Sequence, residues 1–239
     1  MENAGGGEIN MENTTIKIYW AADSTVQTNK ITTYPQTGIG QVFSLYTREG
    51  VEILNHAKNG RSTKSFIDEG RLSAMDAEIG EGDFLFIQFG HNDEKIEDPA
   101  RYTEPFSTYM INLKKYIDVA RKHNAFPVLI TPLERRCFMD SNQLGLGAHS
   151  DYVAAMKQTA EQNNVPLVDL YSMSRAALKR AGEQESRKWY MYFNAGIYDN
   201  YPEGKEDNTH LRYEGAVKYA GLIADGLREL GGIYQELVL

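Results

Sequence analysis

A single cysteine, Cys137, is all this 239-residue chain carries, so no internal disulfide can staple it. No Cys/His cluster has zinc-finger spacing. The longest nearly apolar run, residues 84–89, is far too short to cross a bilayer, so no membrane partner is expected. Positive charge is in deficit. The 25 Lys and Arg against 33 Asp and Glu leave a formal charge of −8, which argues against nonspecific nucleic-acid binding. What remains is an ordinary globular composition, 41% hydrophobic and 24% charged. A chain of this size buries roughly 70% of its unfolded surface, enough for a core without staples.

Residues 1–15 hold Gly5-Gly6-Gly7 and acidic residues but no apolar signal-peptide core. We read them as a flexible leader or expression remnant and assign residues 16–239 to one domain. A removed signal peptide, or excision from a longer enzyme, would leave the same picture. The compartment therefore stays open between the cytoplasm and a module of a secreted enzyme. Composition does not address the oligomeric state.

Short apolar runs alternate with amphipathic stretches. Residues 16–21, 51–54, 83–89, 126–131 and 166–170 read as five strands. Several are continuously apolar, as in a parallel sheet covered on both faces. Phe106, Met110, Leu113, Ile117 and Ala120 make one helical stripe, with Pro105 where a first-turn proline is tolerated. Val153, Met156 and Ala160 make a second. Val217, Ala220, Ala224 and Leu227 mark a last helix, ended by Gly231-Gly232. The alternation predicts an α/β fold: a three-layer α/β/α sandwich around a doubly wound, mainly parallel, five-stranded sheet.

In such a sheet, ligands meet the carboxyl ends of the strands. Ala22-Asp23-Ser24-Thr25 follows strand one, Asn59-Gly60-Arg61-Ser62 follows strand two, and Gly90-His91-Asn92-Asp93 follows strand three. Asp207-Asn208-Thr209-His210 precedes the last helix. A serine hydroxyl needs a base, and a neutral imidazole at His210 can take its proton. Asp207, three residues earlier in the same turn, can hold the other ring nitrogen. The N–H groups of Ser24 and Gly60 and the amide of Asn92 can meet an oxyanion.

These four blocks, in this order, resemble those of the SGNH hydrolases, also called GDSL-type esterases. Phe89-Gly90-His91-Asn92-Asp93, Asp207-Asn208-Thr209-His210-Leu211 and Ala22-Asp23-Ser24-Thr25 are similar to the rhamnogalacturonan acetylesterase branch. The resemblance implies a single SGNH catalytic domain and a carboxylic ester hydrolase. Ser24, Asp207 and His210 would be catalytic, and Ser24, Gly60 and Asn92 would form the oxyanion hole. It implies no cofactor and no metal. The implied substrate is acetylated plant cell-wall polysaccharide or oligosaccharide, foremost rhamnogalacturonan (pectin). Acetylxylan, another small acyl ester, or a noncatalytic carbohydrate-binding role are the alternatives. The family usually has Gly where this chain has Ala22, a change that is harmless if the backbone there keeps a negative φ.

Each residue also has a plainer reading. Ser24 and Asn92 can cap turns or helices, and Asn59-Gly60 is a common turn pair. Asp23 reads as a brace for the nucleophile loop. His91 either lines the cleft or packs beside it. Trp189 opens the aromatic segment 189–201, which serves either as a sugar-binding wall or as packing. Arg61, and Arg135-Arg136, can meet galacturonate carboxylates or stand in solvent. The order Gly-His-Asn-Asp, without a second set of Asp/His ligands, speaks against a metallohydrolase.

Overall fold

The computed structural model describes residues 15–139, 143–145 and 147–239. The leader reading falls, apart from Thr15, outside the described residues. The chain runs through β1 (Ile16–Ala22), α1 (Ile39–Val42), β2 (Val51–Asn55), α2 (Thr63–Asp68), α3 (Arg71–Asp76) and β3 (Phe84–Gln88). It continues through α4 (Met110–Lys122), β4 (Phe126–Ile130), α5 (Ser150–Asn163), β5 (Leu167–Val168) and α6 (Leu170–Ser186). A hairpin of β6 (Tyr190–Phe193) and β7 (Lys205–Leu211) precedes α7 (Tyr213–Leu230) and the short α8 (Gly232–Gln235).

The five predicted strands form one parallel sheet in the order β2-β1-β3-β4-β5. Strand alternation feeds two cores. Ile18, Trp20 and Ala22 join Phe43, Phe86 and the α7 residues Ala220, Ala224 and Leu227 on one face. Tyr19 and Ala21 join Phe66, Leu85, Leu113, Ile117 and Met156 on the other. This is the expected three-layer α/β/α fold. The chain leaves β1 toward β2 on one side and returns to β3 on the other, so the winding reverses between β1 and β3. Such a switch point opens a crevice at the carboxyl ends of those strands.

Four details depart from the sequence reading. β5 is only two residues long, because the Asp169 side chain accepts the Ser172 N–H at 3.2 Å and starts α6 where the apolar run predicts a strand to residue 170. Phe106 leaves the α4 stripe: it sits in a distorted turn (φ −88°, ψ 15°) and is 53% exposed. α2, α3 and α6 have no counterpart in the sequence reading: α2 and α3 are only six residues each, and the α6 stripe of Leu170, Met173, Ala177, Leu178 and Ala181 begins inside the apolar run read as strand five. The Asp207–His210 block lies in a strand rather than a turn, paired with β6 through an irregular register. Its sequence, KEDNTHL, has one apolar residue, so no hydrophobic alternation announces it.

Candidate active site

β1 delivers the first site residue. The buried Asp23 carboxylate accepts the Thr25 N–H at 2.9 Å and the Thr25 hydroxyl at 2.8 Å. The Asp23 carbonyl accepts from Val26 and Gln27. Together these bonds make the sharp turn that presents Ser24 at the end of the strand. Burial raises the Asp23 carboxyl, while the Thr25 bonds and the nearby His210 and His149 oppose that rise. Ala22, fully buried and paired with Gln88, is not among the positive-φ residues, so its methyl is accommodated without backbone strain.

β7 brings the partners of Ser24 from the far end of the chain. His210 Nε2 lies 2.9 Å from Ser24 Oγ, and His210 Nδ1 lies 2.7 Å from Asp207 Oδ2. Asp207 Oδ1 accepts the main-chain N–H groups of Thr209 (2.9 Å) and His210 (3.0 Å). Burial alone would raise the Asp207 carboxyl. The hydrogen bond and charge of His210 and these two N–H groups outweigh it and bring the carboxyl down to about 2. It is ionised at any neutral pH. The strand is pinned from outside the sheet: Arg136 donates its N–H to the Asn208 carbonyl and Nη1 to Asn208 Oδ1, both at 2.9 Å.

Two further turns complete the constellation. Gly60 has φ +76°, a conformation that favours glycine. Gly90 has φ +151°, and a Cβ there would stand 2.8 Å from Pro132 Cγ, so glycine lets the chain leave β3 beneath that ring. Asn92 lies two residues on, with Nδ2 donating to the Arg61 carbonyl at 3.1 Å and Oδ1 accepting from Arg101 Nη1 at 3.3 Å. The main-chain N–H groups of Ser24 and Gly60 have no acceptor among the described residues. Asp93 ties these turns together. Its carboxylate takes the Thr63 N–H and hydroxyl and the Thr103 hydroxyl, and burial pushes it up to about 7 against those bonds. Ser24, Gly60, Asn92, Asp207 and His210 all line one open cleft of about 420 Å³. A serine, a histidine and a carboxylate in hydrogen-bond contact, with N–H donors lining the same cleft, are the parts that acyl transfer needs.

Residues 23–216 match the profile of the GDSL-like lipase/acylhydrolase family. The chain belongs to that family. It is 41% identical over 218 residues to the rhamnogalacturonan acetylesterase RhgT of Bacillus subtilis, covering 90% of this chain and 91% of that one. It is 44% identical over 214 residues to YesY of the same organism, named a probable rhamnogalacturonan acetylesterase, covering 90% and 93%. Among solved structures, YxiM of Bacillus subtilis superposes with a TM-score of 0.76 at 24% identity, over 91% of this chain and 57% of that one. Axe2, an acetyl xylan esterase of Geobacillus stearothermophilus, superposes with a TM-score of 0.60 at 15% identity, over 92% and 97%. At these identities the two structures speak for the fold.

In this acylhydrolase the remaining sequence assignments divide. His91 lines the cleft, but its ring is 3% exposed and packs edge-on against His149 at 4.3 Å. Burial, then the charges of His149 and Arg135, hold the imidazole well below its usual value, so it is neutral. Both ring nitrogens are out of reach of solvent, which leaves no direct contact with a sugar in this conformation. Trp189 does not line the cleft. It packs into the core against Gly215 and Tyr219 of α7, because the hairpin begins on that helix. Arg61 does not line it either: its guanidinium pairs with Glu69 at 2.8 Å, and only its carbonyl serves the site. Arg135 reaches the cleft, whereas Arg136 is the buried anchor of β7. Sequence reasoning missed Lys95, Arg101 and Lys205, which also line it. Their one signal is proximity, since each stands within nine residues of Asn92 or Asp207. From the aromatic segment, Tyr201 alone is among the lining residues.

Proposed function

We propose that the protein is a serine acetylesterase that removes O-acetyl groups from rhamnogalacturonan through an acyl-enzyme on Ser24. The observation that carries the reading is the continuous bond path Ser24–His210–Asp207 opening into the cleft. Ser24 Oγ attacks the acetyl carbonyl as His210 Nε2 takes its proton. Asp207, held ionised by its three bonds, fixes the ring tautomer and stabilises the imidazolium. The N–H groups of Ser24 and Gly60 and one amide N–H of Asn92 receive the oxyanion. Each such donor contributes about 3 kcal/mol to the transition state. The imidazolium then protonates the departing sugar oxygen, and a water activated by His210 releases acetate. Every step uses groups of this chain and water.

The charge of the cleft supports an anionic polymer. Lys95, Arg135 and Lys205 line it in a chain whose net charge is −8. Arg135 is paired with Glu94 at 2.7 Å, whereas Lys95 and Lys205 have no carboxylate within ion-pair distance among the described residues. Such a patch complements the carboxylates of galacturonate and attracts a charged chain in an ionic-strength-dependent way. The two relatives above 40% identity carry the same substrate in their names. The test is acetate release from acetylated rhamnogalacturonan and acetylated xylan in parallel, with Ser24→Ala as control. Release from the pectic polymer that requires Ser24 is expected. Equal release from xylan would move the substrate to hemicellulose or to broad specificity.

A further inference from the structure

We propose that Arg101 is a positioning residue of the oxyanion hole. Its guanidinium fixes the Asn92 amide with its N–H end toward the reacting oxygen and holds positive charge beside Asn92 and the Gly60 turn. The inference rests on the serine-esterase reading. An amide side chain has a donor end and an acceptor end, and only the donor end can stabilise an oxyanion. In Asn92 the orientation is set from both sides. Arg101 Nη1 donates to Oδ1 at 3.3 Å, and Nδ2 donates to the Arg61 carbonyl at 3.1 Å. The reverse orientation would set an amide N–H₂ against a guanidinium and an oxygen against a carbonyl. Of the two Nδ2 hydrogens, the Arg61 carbonyl uses one and leaves the other for substrate.

The same guanidinium reaches the second turn. Arg101 Nη1 is the atom a Cβ on Gly60 would meet, at 3.8 Å. Arg101 is itself restrained. Its Nε donates to Asp98 Oδ2 at 2.6 Å, and its main-chain N–H donates to the Asp98 carbonyl at 3.0 Å. Asp98 Oδ1 is occupied by the Ala100 N–H at 3.1 Å. Asp98 therefore holds the Nε edge and leaves Nη1 for Asn92. A preorganised charge placed this way acts more on the anionic transition state than on the neutral ester, so its signature is in kcat rather than KM.

Arg101→Gln, Arg101→Ala and Arg101→Lys, with Ser24→Ala alongside, are assayed on p-nitrophenyl acetate, a neutral ester with no carboxylate to bind. The expected result is a kcat lower by about 10- to 100-fold for Gln and Ala, with KM within about twofold. Lys, which keeps charge and a donor, recovers part of the loss. Affinity for a boronate that mimics the tetrahedral state falls in step with kcat/KM. Arg101→Gln keeps the side chain polar, so the test survives if Arg101→Ala does not fold. An unchanged kcat on the neutral ester, with loss confined to the uronate polymer, overturns the proposal and makes Arg101 a receiver of substrate carboxylate. Full activity of Ser24→Ala would instead bring down the underlying serine-esterase reading.

Discussion

Replacing Asp207 by Asn removes one charge and almost no volume, and the hydrogen bonds around the carboxylate leave the amide a single orientation. Asp207 Oδ1 accepts two main-chain N–H groups, from Thr209 and His210. An asparagine must keep its oxygen there, since its N–H₂ would face two donors. The amide nitrogen is then forced into the Oδ2 position, opposite His210 Nδ1. Facing a donor, Nδ1 must become the acceptor, which puts the ring proton on Nε2 and aims it at Ser24 Oγ. In that tautomer His210 cannot take the serine proton. A triad frozen this way loses about 10⁴ in kcat, on the order of 5 kcal/mol. The assay is the kcat of Asp207→Asn on p-nitrophenyl acetate, with an unchanged circular dichroism spectrum as the folding control. A kcat within about tenfold of the parent would refute the tautomer argument. Stability carries a second signature. The Asp207 carboxyl lies at about 2 against 3.8 for the free group, so its ionised form stabilises the fold by roughly 2 kcal/mol. That contribution is fully present above pH 4 and disappears as pH falls through about 2. The stability gap between parent and variant therefore closes over that window in denaturant titrations.

Two other substitutions probe the frame and the cleft. Ala22→Gly leaves kcat within about twofold, because Ala22 already fits without positive φ, and lowers stability by roughly 0.5–1 kcal/mol as glycine does inside a strand. A large gain in activity would show that the methyl distorts the nucleophile turn. Lys95→Glu with Lys205→Glu raises KM for acetylated rhamnogalacturonan by about 10-fold, leaves p-nitrophenyl acetate kinetics unchanged, and loses its effect in 1 M salt. A salt-independent change would place these lysines outside the electrostatic reading.

The sheet and the site blocks were legible in the sequence for different physical reasons. Strands such as Phe84–Gln88 are buried on both faces, and residues 84–87 run continuously apolar, so the pattern finds them. The blocks around Ser24, Gly60 and Asn92 are short contiguous turns at strand ends, so their members stay together in sequence as in space. The cleft wall has neither property. Lys95 and Arg101 are partly exposed cations in loops and Lys205 is an exposed cation at the start of β7, indistinguishable by pattern from any solvated face. Trp189 shows the converse: an indole carries the same composition signal in a cleft or a core, and only the packing of the turn before β6 on α7 decides. The β6–β7 hairpin was hidden because β7 lacks hydrophobic alternation and polar clamps hold the hairpin instead. Arg136 clamps Asn208, and Arg212 Nε donates to the Tyr190 carbonyl at 2.9 Å.

The central claim is that Ser24 is the nucleophile activated by His210. Its most direct test is intact-mass and peptide-mass analysis after exposure to an active-site p-nitrophenyl phosphonate. The account predicts one adduct per chain, on Ser24, with labelling lost in Ser24→Ala and slowed by orders of magnitude in His210→Ala. An adduct on another residue, or labelling of Ser24 at the same rate without His210, would contradict it.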